Sequence, residues 1–164
     1  MATNKGKKFE DVIRQAFLQV PDVSIDRLRD APRKLKGVDN PSDFIVYKKP
    51  HEIYVECKSH KGNTLPFSCI REEQIKGMTE KAKIEGVKAG IIVWYIDKDI
   101  TVWYPIGLVV ERILALEKSL NVKDTELWSS DVWDKDKRCI VIQGKKKRVY
   151  FDYDMNKFLE ELYR

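Results

Sequence analysis

The stretch Ser42–His60, SDFIVYKKPHEIYVECKSH, constrains this chain more than any other. It reads as two β-strands, rich in Ile, Val and Tyr, joined at Lys48–His51. Successive strand side chains point to opposite faces, so Ile53, Val55 and Cys57 share one face and Tyr54, Glu56 and Lys58 the other. A hairpin centred between Lys49 and Pro50 has one register, whether its loop has two residues or four. That register sets Asp43 directly across from Glu56, with Cβ atoms about 4.5–5.5 Å apart. Like charges so placed repel unless a cation lies between them. Hard divalent cations take oxygen ligands, commonly one or two carboxylates, and keep waters and substrate phosphates as further ligands. Lys58, one pleat beyond Glu56, can orient or deprotonate an attacking water or neutralise a phosphate. A solvated polar face with a Glu56–Lys58 contact remains the alternative.

The sequence has 164 residues, 43% apolar and 35% charged, which predicts a single globular domain over residues 1–164. The net charge of +5 favours a polyanionic partner, nucleic acid foremost. Cys57, Cys69 and Cys139 are odd in number and lack CxxC spacing, against a disulfide framework or a cysteine zinc site. Two histidines, His51 and His60, are too few for a histidine-rich metal centre. There is no signal-peptide pattern and no long apolar run, so a cytoplasmic protein with no membrane partner is expected.

Around the hairpin the elements fall into order. Asn4–Val20 has helical periodicity, and Val23–Asp30 is a short strand. Ala31–Ser42 is a loop rich in Pro, Gly and cations, and Lys61–Ser68 is a second loop. Arg71–Gly86 reads as a helix, and Gly90–Ile96 and Ile100–Pro105 as strands around a turn at Asp97–Asp99. Pro105 opens a helix through about Leu120. Arg138–Gln143 and Arg148–Tyr153 read as a late hairpin around Gly144–Lys147, before a closing helix over Met155–Arg164. The order predicts a mixed α/β fold, a central mixed sheet flanked by helices.

The first helix supplies a third carboxylate. At about 100° per residue, Phe9, Val12, Ile13, Ala16 and Phe17 form the buried stripe and Asp11 faces solvent. Glu10 falls on the border of the stripe, placed to reach a site at the edge of the core. An exposed pair with Arg14 is its alternative, worth about 0.3–0.5 kcal/mol.

Glu10 on a first helix, Ser42–Asp43, and Glu56–Cys57–Lys58 together resemble the PD-(D/E)xK nuclease superfamily, with its restriction-endonuclease-like core. The segment TLPFSCIREEQIKGM, with Gln74 on its helix, is similar to the one following the catalytic lysine in RecU-type Holliday junction resolvases. The closing YFDYDMNKFLEELYR resembles their ends, and RDAP, from Arg29 to Pro32, is similar to a segment of the archaeal type. The resemblance implies a homodimeric endonuclease that cuts four-way DNA junctions with Mg²⁺, or Mn²⁺ in its place. Glu10, Asp43 and Glu56 would be metal ligands, joined by the Cys57 carbonyl. Lys58 would be the catalytic lysine, with Ser42 and Gln74 as supporting active-site residues. Two departures stand out. Pro41 precedes Ser42 rather than Asp43. Only Ala31–Ser42 fills the interval where RecU-type proteins carry a long projection, which fits a shortened, phage-encoded form.

The loop cations Arg33, Lys34 and Lys36, just ahead of Asp43, are expected to contact DNA phosphates. The run Lys145–Arg148, and Lys5, Lys7 and Lys8, can do the same or remain solvated. Trp94, Trp103 and Tyr104 are expected in the core. Two other functions are compatible with the sequence: a nuclease of the same superfamily acting on duplex or flap DNA, and a non-catalytic nucleic-acid-binding module.

Overall fold

A computed structural model describes residues 4–29, 40–126 and 137–164. A six-stranded mixed sheet, ordered β1-β2-β3-β5-β6-β8, forms its centre. The strands are β1 (Ser24–Arg27), β2 (Phe44–Lys48), β3 (His51–His60), β5 (Val87–Tyr95), β6 (Ile100–Pro105) and β8 (Ile140–Val141). Neighbours run antiparallel except β3 and β5. Helix α2 (Glu72–Ala82) spans the connection between those two strands, as a parallel pair requires.

Helices cover both faces, as the element order led us to expect. On one face, α1 (Asn4–Leu18) and α4 (Met155–Tyr163) pack with a ribbon of β9 (Gly144–Lys146) and β10 (Phe151–Tyr153) over Val55, Cys57, Trp94 and Trp103. On the other, α2, α3 (Ile106–Leu114) and a ribbon of β4 (Thr64–Pro66) and β7 (Ser119–Asn121) cover Tyr54, Ile91, Val93 and Tyr104. Trp94, Trp103 and Tyr104 are buried, as expected of core residues. Gly90 lets β5 approach β6, because a Cβ there would stand 2.5 Å from the Tyr104 carbonyl oxygen. Among the described residues no helix is long and apolar enough to cross a membrane.

Three local expectations are corrected. The helix opened by Pro105 ends at Leu114, well short of Leu120. Leu116 takes a left-handed φ of 62°, and the Leu116 and Glu117 N–H groups bond back to the Ile113 and Arg112 carbonyls. That is a Schellman stop made without the usual glycine. The chain is thereby freed to form β7, so the Lys61–Ser68 segment is not all loop: Thr64–Pro66 pairs with Ser119–Asn121. The late strands also do not form the expected hairpin. Ile140–Val141 adds to the central sheet beside β6, and β10 pairs instead with Gly144–Lys146. Burial of Ile140 and Ile142 in the core takes that segment from its neighbour.

Candidate functional site

The site forms where the sheet loses a strand. The β2–β3 ladder runs from Lys48–His51 to Phe44–Val55, the register expected from the sequence. Beyond Val55, β3 continues to His60 with β5 still paired on one side, but β2 has ended on the other. Asp43 stands at that corner. Its N–H bonds to the Val55 carbonyl at 3.1 Å, and its carbonyl accepts the Leu28 N–H at 2.8 Å. Its carboxylate takes the place of a ladder partner, with Oδ2 accepting the Cys57 N–H at 2.8 Å. A strand residue presents its N–H and C=O to the same side, so the Cys57 carbonyl also faces this open edge. The Cys57 side chain points the other way, into the core under α1.

Glu56 comes from the α2 face of β3 and is 2% exposed. Oε1 is 2.8 Å from Lys58 Nζ, so the Glu56–Lys58 contact allowed by the sequence is present. Oε2 is buried without a hydrogen-bond partner. Leaving a carboxylate oxygen so desolvated is costly, and native structures rarely tolerate it without a reason.

Glu10 reaches the same corner from α1 on the opposite face. It is half-buried, as its border position on the helix led us to expect, and Asp11 is exposed. Arg27 on β1 meets it: Nη2 donates to Glu10 Oε2 at 2.9 Å. Sequence reasoning missed Arg27, because nothing in SIDR distinguishes it from a solvated strand-edge cation.

The three carboxylates feel one another. Burial, then the neighbouring Glu56 and Glu10 charges, push the Asp43 carboxyl up to about 8, although the Cys57 N–H and Lys58 pull it down. Burial, with the same carboxylates, also raises the Cys57 thiol well above its usual range. This is the electrostatic signature of negative charge gathered with too little positive charge beside it.

Ser42 and Gln74 support the surrounding backbone. Ser42 is buried and donates its hydroxyl to the Phe44 carbonyl at 2.9 Å, fixing the turn that delivers Asp43. Gln74 is buried in the first turn of α2, where its Oε1 accepts the Arg71 N–H at 3.3 Å. Helix α2 touches the same turn through Gly77, where a Cβ would stand 2.8 Å from Pro41 Cβ. Arg33, Lys34 and Lys36 lie outside the described residues. Lys5, Lys7 and Lys8 are exposed on α1. In the run Lys145–Arg148, Lys146 bonds Asp99 at 2.8 Å and Lys147 lies 3.4 Å from Asp152, so part of its charge is neutralised within the chain.

Among the described residues, no group of three or more His, Cys, Asp or Glu side chains is already assembled around a metal position. The donors at the corner nevertheless suit a hard divalent cation. They are carboxylate oxygens, one of them buried and unpartnered, on a group whose neighbour resists ionisation.

No family model matches the chain, and no curated protein matches it. Among solved structures it is similar to Hjc, a Holliday junction resolvase from the archaeal hyperthermophile Archaeoglobus fulgidus. That likeness has 14% identity, covers 62% of this chain and 74% of the other, and has a TM-score of 0.42. At that level it assigns no residue a role.

Proposed function

We propose that this chain is a divalent-metal-dependent DNA endonuclease of the PD-(D/E)xK type, and that its substrate is the four-way junction. One observation carries the reading: Glu56 keeps a buried, unpartnered carboxylate oxygen beside an Asp43 that is itself hard to ionise. Buried carboxylate oxygens are ordinarily bonded, and a cation at this position would supply the partner that the chain does not.

Asp43, Glu56 and the Cys57 carbonyl would hold Mg²⁺ or Mn²⁺ at the open edge of β3, with Glu10 closing from α1. The ion, when bound, would acidify a water and offset the charge developing at phosphorus. The remaining work belongs to the chain. The Cys57 N–H fixes Asp43 Oδ2 in place, so one oxygen is oriented before any ligand arrives. Lys58 lies within reach of whatever Glu56 holds, and its ammonium can donate to the attacking water or to a phosphate oxygen. Ser42 and the Gly77–Pro41 contact hold the turn carrying Asp43, which keeps the carboxylates in register.

The junction as substrate comes from the RecU-like features of the sequence. A homodimer would supply two sites related by a two-fold axis, matching paired symmetric cuts. The second reading, cleavage of duplex or flap DNA, is favoured by the short Ala31–Ser42 interval.

Side-by-side digestion of a four-way junction, a flap and a plain duplex, with Mg²⁺ or with chelator, tests both. We expect Mg²⁺-dependent paired nicks in the junction and none with Asp43→Asn. Preference for duplex or flap selects the second reading. Cleavage by Asp43→Asn at the wild-type rate contradicts the site assignment.

A further inference from the structure

Among the described residues, two cations bonded to carboxylates of the corner are held differently. Lys58 shares β3 with Glu56, and 24% of its side chain is exposed. Arg27 arrives from β1, at one edge of the sheet, and 51% of its side chain is exposed. The ladder sets Arg27 opposite Phe44, the residue after Asp43, and the Leu28 N–H bonds the Asp43 carbonyl. Arg27 is therefore fixed by its backbone beside the strand that carries Asp43, while its side chain is open to solvent. Its guanidinium holds Oε2, one of the two oxygens that Glu10 could offer to a cation at this corner.

We propose that Arg27 is a resident counter-cation that exchanges partners: it neutralises Glu10 while the corner holds no divalent ion, leaves that carboxylate when an ion binds, and then presents its guanidinium to a backbone phosphate of bound nucleic acid. This rests on the metal-dependent nuclease reading of the same corner. The chemistry suits the exchange. A guanidinium fork bonds carboxylate and phosphate oxygens in the same two-pronged geometry, which an ammonium does not. An exposed pair of this kind is weak, so its rupture is within reach of ion binding. Once a divalent ion neutralises the carboxylates, Arg27 becomes surplus positive charge at the rim, where a phosphate must pass. Metal binding and nucleic-acid binding would then be coupled through one side chain.

Two assays without cleavage test this. The first is calorimetric titration of Mn²⁺ into the free protein. The second is the affinity for a labelled four-way junction and a labelled duplex in Ca²⁺ and in chelator, at several salt concentrations. For Arg27→Gln we expect Mn²⁺ to bind about two- to fivefold more tightly, the effect of removing a weak competing pair. We expect its affinity for DNA in Ca²⁺ to fall about five- to tenfold, with a salt slope smaller by about one phosphate contact. Arg27→Lys should recover part of the affinity. The opposite signs distinguish this role from a structural one, which would weaken both bindings. If wild type binds Mn²⁺ and Arg27→Gln loses both bindings or alters neither, the exchange is overturned and the nuclease reading stands. If wild type binds no Mn²⁺, the nuclease reading falls and takes this proposal with it.

Discussion

Two buried carboxylates, Glu56 and Asp124, have nearly the same exposure, 2% and 5%. Their surroundings differ. Asp124 accepts from Arg112 Nη2 at 3.0 Å on one oxygen and from the Asn121 N–H at 2.9 Å on the other. Arg112 is in turn anchored by Glu117 at 2.9 Å. Every charge in that cluster has a partner, and the cluster fastens β7 and the short helical turn after it to α3. Glu56 has one oxygen on Lys58 and the other on nothing, with a second carboxylate beside it. Burial alone therefore does not mark a functional acid. The difference lies in whether the chain satisfies the carboxylate it buries: both Asp124 oxygens are bonded, and among the described residues Glu56 Oε2 is not.

The comparison can be broken by substitution. Asp43→Asn should lower Mg²⁺-dependent cleavage by about a thousandfold, the effect of losing roughly 4 kcal/mol of transition-state charge stabilisation, measured as single-turnover rate. Asp124→Ala should leave that rate within about twofold but lower stability by about 2–3 kcal/mol, since it strips partners from Arg112 and from the Asn121 N–H. Thermal unfolding should show this as a loss of about 5–10 °C. Glu56→Gln, at the same burial, should not share that loss.

The pH dependence of stability sharpens the contrast. The Asp43 carboxyl titrates near 8 in the fold and near 3.8 when unperturbed. The native state then binds the more protons between those values, so stability declines as pH rises through that window and levels off above it. Asp43→Asn removes the decline. Without divalent ions the variant should melt at least about 3 °C above wild type at pH 8.5 and level with it near pH 4. Saturating Mg²⁺ should shrink the difference at pH 8.5. Gly77→Ala should have the smallest effect: a Cβ pressed on Pro41 shifts the Asp43 turn, costing cleavage about tenfold with little change in melting.

Much of the corner was legible in sequence because its determinants are local. The β2–β3 register follows from one tight connection, and the Glu10 position from helical periodicity over a few turns. What could not be read rests on distant partners. Arg27 meets Glu10 across a helix–strand packing that no spacing rule encodes. The β4–β7 ribbon joins two three-residue segments, too short to show a period and far apart in sequence. The early stop of α3 depends on Leu116 at a position where glycine is the usual signal. Ser42 and Gln74 were proposed for the site by resemblance alone, and their bonds to the Phe44 carbonyl and the Arg71 N–H could not be read, because hydroxyl and amide partners are set by backbone geometry. The Cys57 carbonyl was placed by resemblance, and the Cys57–Asp43 hydrogen bond now shows which edge it faces.

The central claim is that the β3 corner is a divalent-cation site completed by a ligand the chain does not itself supply. Calorimetric titration of Mn²⁺ into wild type and Glu56→Gln at pH 8 tests it most directly. Saturable binding by wild type, weakened at least tenfold in Glu56→Gln while the variant stays folded, is the predicted result. Equal binding by the two proteins, or none by wild type, would contradict it.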